Sequence, residues 1–96
     1  MRLNLATMVV LAAWLGAGSV LAQPGADLEK AKGCPACHAP DTRRIGPAWR
    51  EIAARHRGDA AAPERLVTML KDGKRHPRAA GSDAELRALI GYVLGR

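Results

Sequence analysis

The sequence predicts an all-α domain of about four helices. Apolar residues recur at helical spacing in several segments, and residues typical of helix starts and ends flank those segments. No segment alternates apolar and polar side chains as a half-buried strand would. The chain has 96 residues with 2 Trp, 1 Tyr and no Phe. It is therefore expected to form one small domain, with few aromatic side chains to fill a core.

The first two predicted helices lie on either side of a cysteine motif. The first runs from about Asp27 to Gly33, and Asp27 is predicted to cap it. The second runs from about Pro47 to His56, because Pro suits the first position of a helix. Its apolar face is predicted at Trp49, Ile52, Ala53 and His56.

The last two predicted helices occupy the C-terminal half. One runs from Pro63 to Asp72 and ends at Gly73. Its inner residues are predicted to be Leu66, Val67 and Leu70. The other runs from about Asp83 to Leu94 and begins with a capping box made by Ser82 and Glu85. Its inner face is predicted at Leu86, Leu89, Ile90, Val93 and Leu94.

Residues 1–22 are predicted to be a secretory signal peptide. A basic residue precedes an apolar run, and Val20 and Ala22 are suitably placed for cleavage before Gln23. A retained membrane anchor is the alternative, but the apolar run is shorter than the roughly 20 residues that span a bilayer. Cleavage would leave residues 23–96 as a periplasmic domain and lower the net charge from +6 to +5, because one Arg is lost.

The motif Cys34-Pro35-Ala36-Cys37-His38 has the spacing of a c-type haem attachment site. In such a site both thiols form thioethers with the porphyrin vinyl groups, and the His supplies a nitrogen to the iron. One covalent haem c with its iron is therefore the predicted cofactor. The porphyrin would also supply the buried apolar surface that this chain lacks. The haem-free protein is accordingly predicted to be largely unfolded.

Other uses of the two cysteines are less favoured. A redox pair of the thioredoxin type needs a βαβ frame, which this sequence does not predict. A zinc site needs a second pair of ligands at ordered spacing, and His56 and His76 do not provide one. A disulfide between Cys34 and Cys37 would close a very small loop and add little stability.

The chain resembles the small bacterial class I monohaem cytochromes c. The similarity lies in Lys32–His38, in Ile45–Trp49, in Lys71–Gly73 and in the start of the last helix. The resemblance implies four helices wrapped around one haem, an electron carrier and not an enzyme. It also implies that the Pro47 carbonyl orients His38, and that Gly91 suits a close crossing of the first and last helices.

The sixth iron ligand departs from the family pattern. Relatives place a Met after a Pro in the loop between the last two helices, whereas Arg78 follows Pro77 here. Arg does not lose its proton and does not bind iron. His76 in this loop is the favoured distal ligand, and Met69 is the alternative. An iron with an open distal position, or one bound by His56, is the remaining interpretation. A second imidazole would lower the reduction potential relative to a Met ligand.

Basic residues cluster near the cysteine motif and in the loop between the last two predicted helices: Arg43, Arg44, Arg55, Arg57, Lys74, Arg75 and Arg78. They are either an ordinary solvated surface or a ring that attracts redox partners with an acidic docking surface. Nucleic acid is not an expected partner, and no stable membrane insertion is expected after cleavage. The predicted function is exported one-electron transfer between proteins, and a role as the electron-accepting subunit of an oxidoreductase is a variant of it. Binding of NO or CO at an open iron is the alternative, and a peroxidase subunit is a third.

Overall fold

The computed structural model describes residues 24–96, so the predicted signal peptide lies outside the described residues. Helices α1 (Gly25–Ala31), α2 (Trp49–Arg55), α3 (Ala62–Asp72) and α4 (Asp83–Leu94) follow in order, with one 3-10 turn at Cys34–Ala36. No strand occurs in this range. The predicted all-α fold is therefore confirmed. In the same range, no helix is long and apolar enough to cross a membrane.

Helix α4 is the centre of the fold, because it contacts each of the other three helices. The buried core consists of Leu28, Val67, Leu70, Leu86, Leu89, Ile90, Val93 and Leu94. The five predicted inner residues of α4 are all buried, and two of the three predicted for α3 are buried. Leu66 is half-buried because it borders the cavity described below.

The local signals of α3 and α4 determine their ends. Gly73 is left-handed at φ 67° and ends α3 as predicted. Helix α3 begins one residue before Pro63. At the start of α4, the Ser82 hydroxyl accepts from the Glu85 N–H at 3.1 Å, and the Glu85 carboxylate accepts from the Ser82 N–H at 3.0 Å. The predicted capping box is present.

The predicted starts of α1 and α2 were wrong. Helix α1 begins at Gly25, and the Pro24 carbonyl accepts from the Asp27 N–H at 2.9 Å, so Asp27 lies inside the first turn and is not the cap. Helix α2 begins at Trp49, so Pro47 is not its first residue. The Pro47 carbonyl instead accepts from a side chain outside the helix, which keeps Pro47 in the preceding loop.

The glycine of the α1–α4 crossing is Gly25, not Gly91. A Cβ atom at Gly25 would overlap the Tyr92 Cβ and lie 2.7 Å from the Ala88 carbonyl oxygen. A Cβ atom at Gly91 would meet only the Arg96 carbonyl, at 2.9 Å. The prediction for Gly91 is therefore corrected, because its neighbour is the end of the chain and not helix α1.

We expect Gly25→Ala to lower the free energy of unfolding of the haem-loaded protein by about 1–3 kcal/mol, because the new methyl group overpacks the crossing. Gly91→Ala is the matched control. Ala favours the helix by about 1 kcal/mol over Gly, but its Cβ would lie 2.9 Å from the Arg96 carbonyl oxygen, so we expect a smaller loss than in Gly25→Ala. Denaturant unfolding of both variants measures this difference. An equal loss in Gly91→Ala would contradict the assignment of the crossing to Gly25.

Candidate haem site

A cavity of about 550 Å³ opens between the cysteine motif, α2, α3, α4 and the α3–α4 loop. Most of its lining is apolar: Ile45, Pro47, Trp49, Ile52, Leu66, Met69, Leu70, Ala79, Leu89, Ile90 and Val93. Its volume falls in the usual range for sites that bind organic ligands and cofactors, about 300–1,000 Å³.

The two cysteines of the motif line this cavity as free thiols. A left-handed Gly33, at φ 75°, leads into the 3-10 turn that carries Cys34. The Cys34 carbonyl accepts from the N–H groups of Cys37 and His38, both at 3.1 Å, which folds the motif into one compact turn. Burial, and then the nearby Glu29 charge, raise the pKa of the Cys34 thiol. Because Cys34 and Cys37 both line the cavity, the two thiols border the same apolar space.

His38 is buried, and the structure fixes which of its nitrogens is free. Its Nδ1 lies 2.6 Å from the Pro47 carbonyl oxygen, which can only accept, so Nδ1 carries the proton and donates. The lone pair is then on Nε2 and can bind a metal ion. A Cβ atom at Gly46 would overlap the His38 ring, so the residue before Pro47 has to be glycine.

Glu29 is a site residue that sequence reasoning missed. It is only 8% exposed, and its carboxylate accepts a hydrogen bond from the Trp49 indole at 3.2 Å. The Trp49 ring in turn stacks on His38, with centroids 4.3 Å apart and an angle of 18° between the planes. Glu29 thus orients the ring that packs on His38. No local signal could reveal this contact, because its partner lies 20 residues further on.

His76 enters the cavity from the α3–α4 loop. It is half-buried, and its ring centroid lies 6.0 Å from that of His38, with an angle of 18° between the planes. Its Nδ1 donates to the Pro77 carbonyl at 2.7 Å. The structure therefore brings two imidazoles together from segments far apart in sequence. Each of them uses Nδ1 for a backbone carbonyl and keeps Nε2 free for a metal ion.

The other residues considered as distal ligands also border the cavity. Met69 on α3 and His56 at the end of α2 are half-buried, and Arg78 is exposed. Of His56 and His76, only His76 has a ring contact with His38 among the described residues. Within residues 24–96 there is no cluster of three His, Cys, Asp or Glu side chains that could hold a metal ion by itself.

Four helices around an apolar cavity, with two thiols and an oriented imidazole on its wall, define a class of small helical proteins that enclose a haem. Comparison with known proteins agrees, since the Cytochrome c family model matches residues 22–96. The chain belongs to the cytochrome c family. Proteins of this family carry one covalent haem c with its iron and are electron-transfer proteins, not enzymes.

Individual relatives support this assignment. The chain is 39% identical to cytochrome c-551 of Pseudomonas aeruginosa over 95 residues, which covers 85% of this chain and 90% of the relative. The solved structure of a Nitrosomonas europaea cytochrome c552 mutant has a TM-score of 0.67 at 34% identity, covering 73% of this chain and 96% of that one. The class 1 cytochrome MtoD of Sideroxydans lithotrophicus has a TM-score of 0.69 at 22% identity, covering 74% of this chain and 90% of its own, and shares the fold.

Proposed function

We propose that this chain is cleaved after Ala22, works in the periplasm and carries single electrons between redox proteins through one haem. The hydrogen bond from His38 Nδ1 to the Pro47 carbonyl carries the proposal, because it turns Nε2 into an available iron ligand on the wall of a large apolar cavity. The haem iron, when bound, takes up and releases one electron. The chain holds and shields that iron and breaks no bond in a substrate.

In this proposal Cys34 and Cys37 form the two thioethers, His38 is the proximal ligand, and Pro47 orients it. The cavity fits the group, since both thiols and the imidazole border the same apolar space. Gly46 leaves room for the His38 ring against the adjacent backbone. The thioethers and the iron–nitrogen bond would fix the haem at one edge and at its centre.

We propose His76 as the distal ligand, with Met69 as the alternative. A metal–imidazole bond is about 2 Å long, so two such bonds together with the inner halves of two rings span about 6 Å. The observed centroid separation of 6.0 Å between His38 and His76 supports this assignment. An iron with both axial positions filled suits a carrier, and the relatives named cytochrome c-551 and c-552 lend no support to a gas-binding role.

The partner would present an acidic surface to the cavity mouth. Ile45 lies at the edge of the cavity and is 83% exposed, and Arg43 and Arg44 precede it on the exposed surface. An exposed apolar residue beside cations matches a docking patch in which charge steers the encounter and apolar contact follows. This surface therefore suits brief association with an acidic redox protein.

The test of this function is a redox titration of the protein purified from the periplasmic fraction of a host that attaches haem c. We expect covalent haem on a chain beginning at Gln23, and one reversible electron per polypeptide. We also expect transfer to an acidic electron-acceptor protein to slow as salt increases. Transfer at low salt should be slower in Arg44→Gln, whose residue adjoins Ile45 in sequence, than in Lys30→Gln, a control at an exposed cation of α1. Irreversible reduction or a salt-independent rate would contradict the proposal.

A further inference from the structure

The side chains that line the haem cavity include cations but no carboxylate. The cations are Lys32, Arg55, Arg75 and Arg78. Two of them already have partners in the described chain. The Arg55 guanidinium lies 3.7 Å from a Glu51 carboxylate oxygen, and the Lys32 ammonium donates to the Ala80 carbonyl. The cavity therefore has an excess of positive charge at its mouth.

Arg75 and Arg78 make no side-chain hydrogen bond and no ion pair with any described residue. Both are exposed on the short loop between α3 and α4, on either side of His76 and Pro77. Arg keeps its charge at every accessible pH, and its planar guanidinium matches a carboxylate with two parallel hydrogen bonds. The mouth thus offers two free guanidinium groups beside the place where the haem fits.

We propose that Arg75 and Arg78 bind the two propionate carboxylates of the haem. The haem is the group that brings carboxylates to a cavity whose own lining has none, and each carboxylate would meet one free guanidinium. This inference rests on the proposed binding of haem in this cavity, but it does not require His76 to be the iron ligand.

Pairing of these two guanidinium groups with the propionates would close the α3–α4 loop over the haem. The loop is already joined to the fold at its far end, where the Ala79 N–H donates to the Leu70 carbonyl at 2.9 Å and Lys32 donates to Ala80. Two guanidinium–propionate contacts would hold its middle, which is the part that carries His76. They would also balance the negative charge of the propionates, which by itself favours the ferric iron.

The test compares reduction potentials of haem-loaded Arg75→Gln, Arg78→Gln and Lys74→Gln. Lys74 is the matched control, because it is an exposed cation of the same loop that does not line the haem cavity. We expect each Arg→Gln change to raise the ferric to ferrous ratio at a fixed ambient potential by about three- to tenfold, because the variant loses one positive charge close to the haem. Lys74→Gln should change that ratio less than about twofold, because solvent screens its charge.

The corresponding Arg→Lys variants separate charge from loop structure. They keep the positive charge, so we expect them to retain most of the wild-type potential. Equal shifts of the reduction potential in Lys74→Gln and the Arg→Gln variants would overturn the proposal, since the potential would then respond to any surface charge on this loop. Unchanged potentials in the Arg→Gln variants, or equal shifts in Arg→Lys and Arg→Gln, would overturn it too. Wild-type protein without covalent haem would instead show that the proposed function is wrong.

Discussion

Replacing Cys34 and Cys37 together by Ala is expected to abolish haem attachment and leave the polypeptide largely unfolded. Without haem, a cavity of about 550 Å³ lies against α4, the helix that contacts all the others. Burial of a few hundred Å² of porphyrin surface stabilises by several kcal/mol at about 25 cal/mol per Å². The whole stability of a small domain is only about 5–15 kcal/mol.

Far-ultraviolet circular dichroism and amide hydrogen exchange measure this loss of structure, and haem staining after denaturing electrophoresis measures attachment. Ala36→Ser is the matched control, because Ala36 is exposed in the same 3-10 turn and both thiols remain. We expect the control to carry covalent haem and a native helical spectrum. A Cys34→Ala, Cys37→Ala double variant with native helical content and protected amides would show that the protein does not need haem to fold.

Replacing His76 by Ala should remove the distal ligand. The low-spin spectrum of the ferric protein should then become high-spin, and the ferrous protein should bind CO. Replacing His76 by Met should raise the reduction potential, because a thioether favours ferrous iron more than imidazole does. These changes can be measured by visible spectroscopy, electron paramagnetic resonance and potentiometry.

Two other cavity residues provide the controls for His76. His56→Ala should keep the low-spin spectrum, since His56 shows no ring contact with His38 in the described chain. Met69→Leu should keep it as well, because this change preserves an apolar side chain of similar size on α3. Loss of the low-spin spectrum in Met69→Leu, with a normal His76→Ala spectrum, would identify Met69 as the ligand.

Features with a local cause could be predicted from the sequence. The α4 capping box and the glycine that ends α3 act within a few residues, and both helices were placed to within one residue. The cysteine motif has a fixed spacing, and it led to the haem and the family. The buried face of α4 followed from its apolar period.

Features that depend on tertiary contacts could not be predicted in this way. Pro47 looked like a helix start, but its carbonyl is held by His38, so α2 begins two residues later. The family resemblance implied that Gly91 lies at the crossing of the first and last helices, yet the close approach of α1 occurs at Gly25. The hydrogen bond between Glu29 and Trp49 joins two helices, and it leaves no pattern in either segment.

The most direct test of the central claim is the visible spectrum of the ferrous, haem-loaded protein before and after addition of CO. In the proposed carrier His38 and His76 would both hold the iron, which would leave no position for a gas. We predict a low-spin spectrum that CO does not change, and a low-spin ferric spectrum as well. A high-spin ferrous spectrum that shifts on addition of CO would contradict the account, because the iron would then have an open distal position.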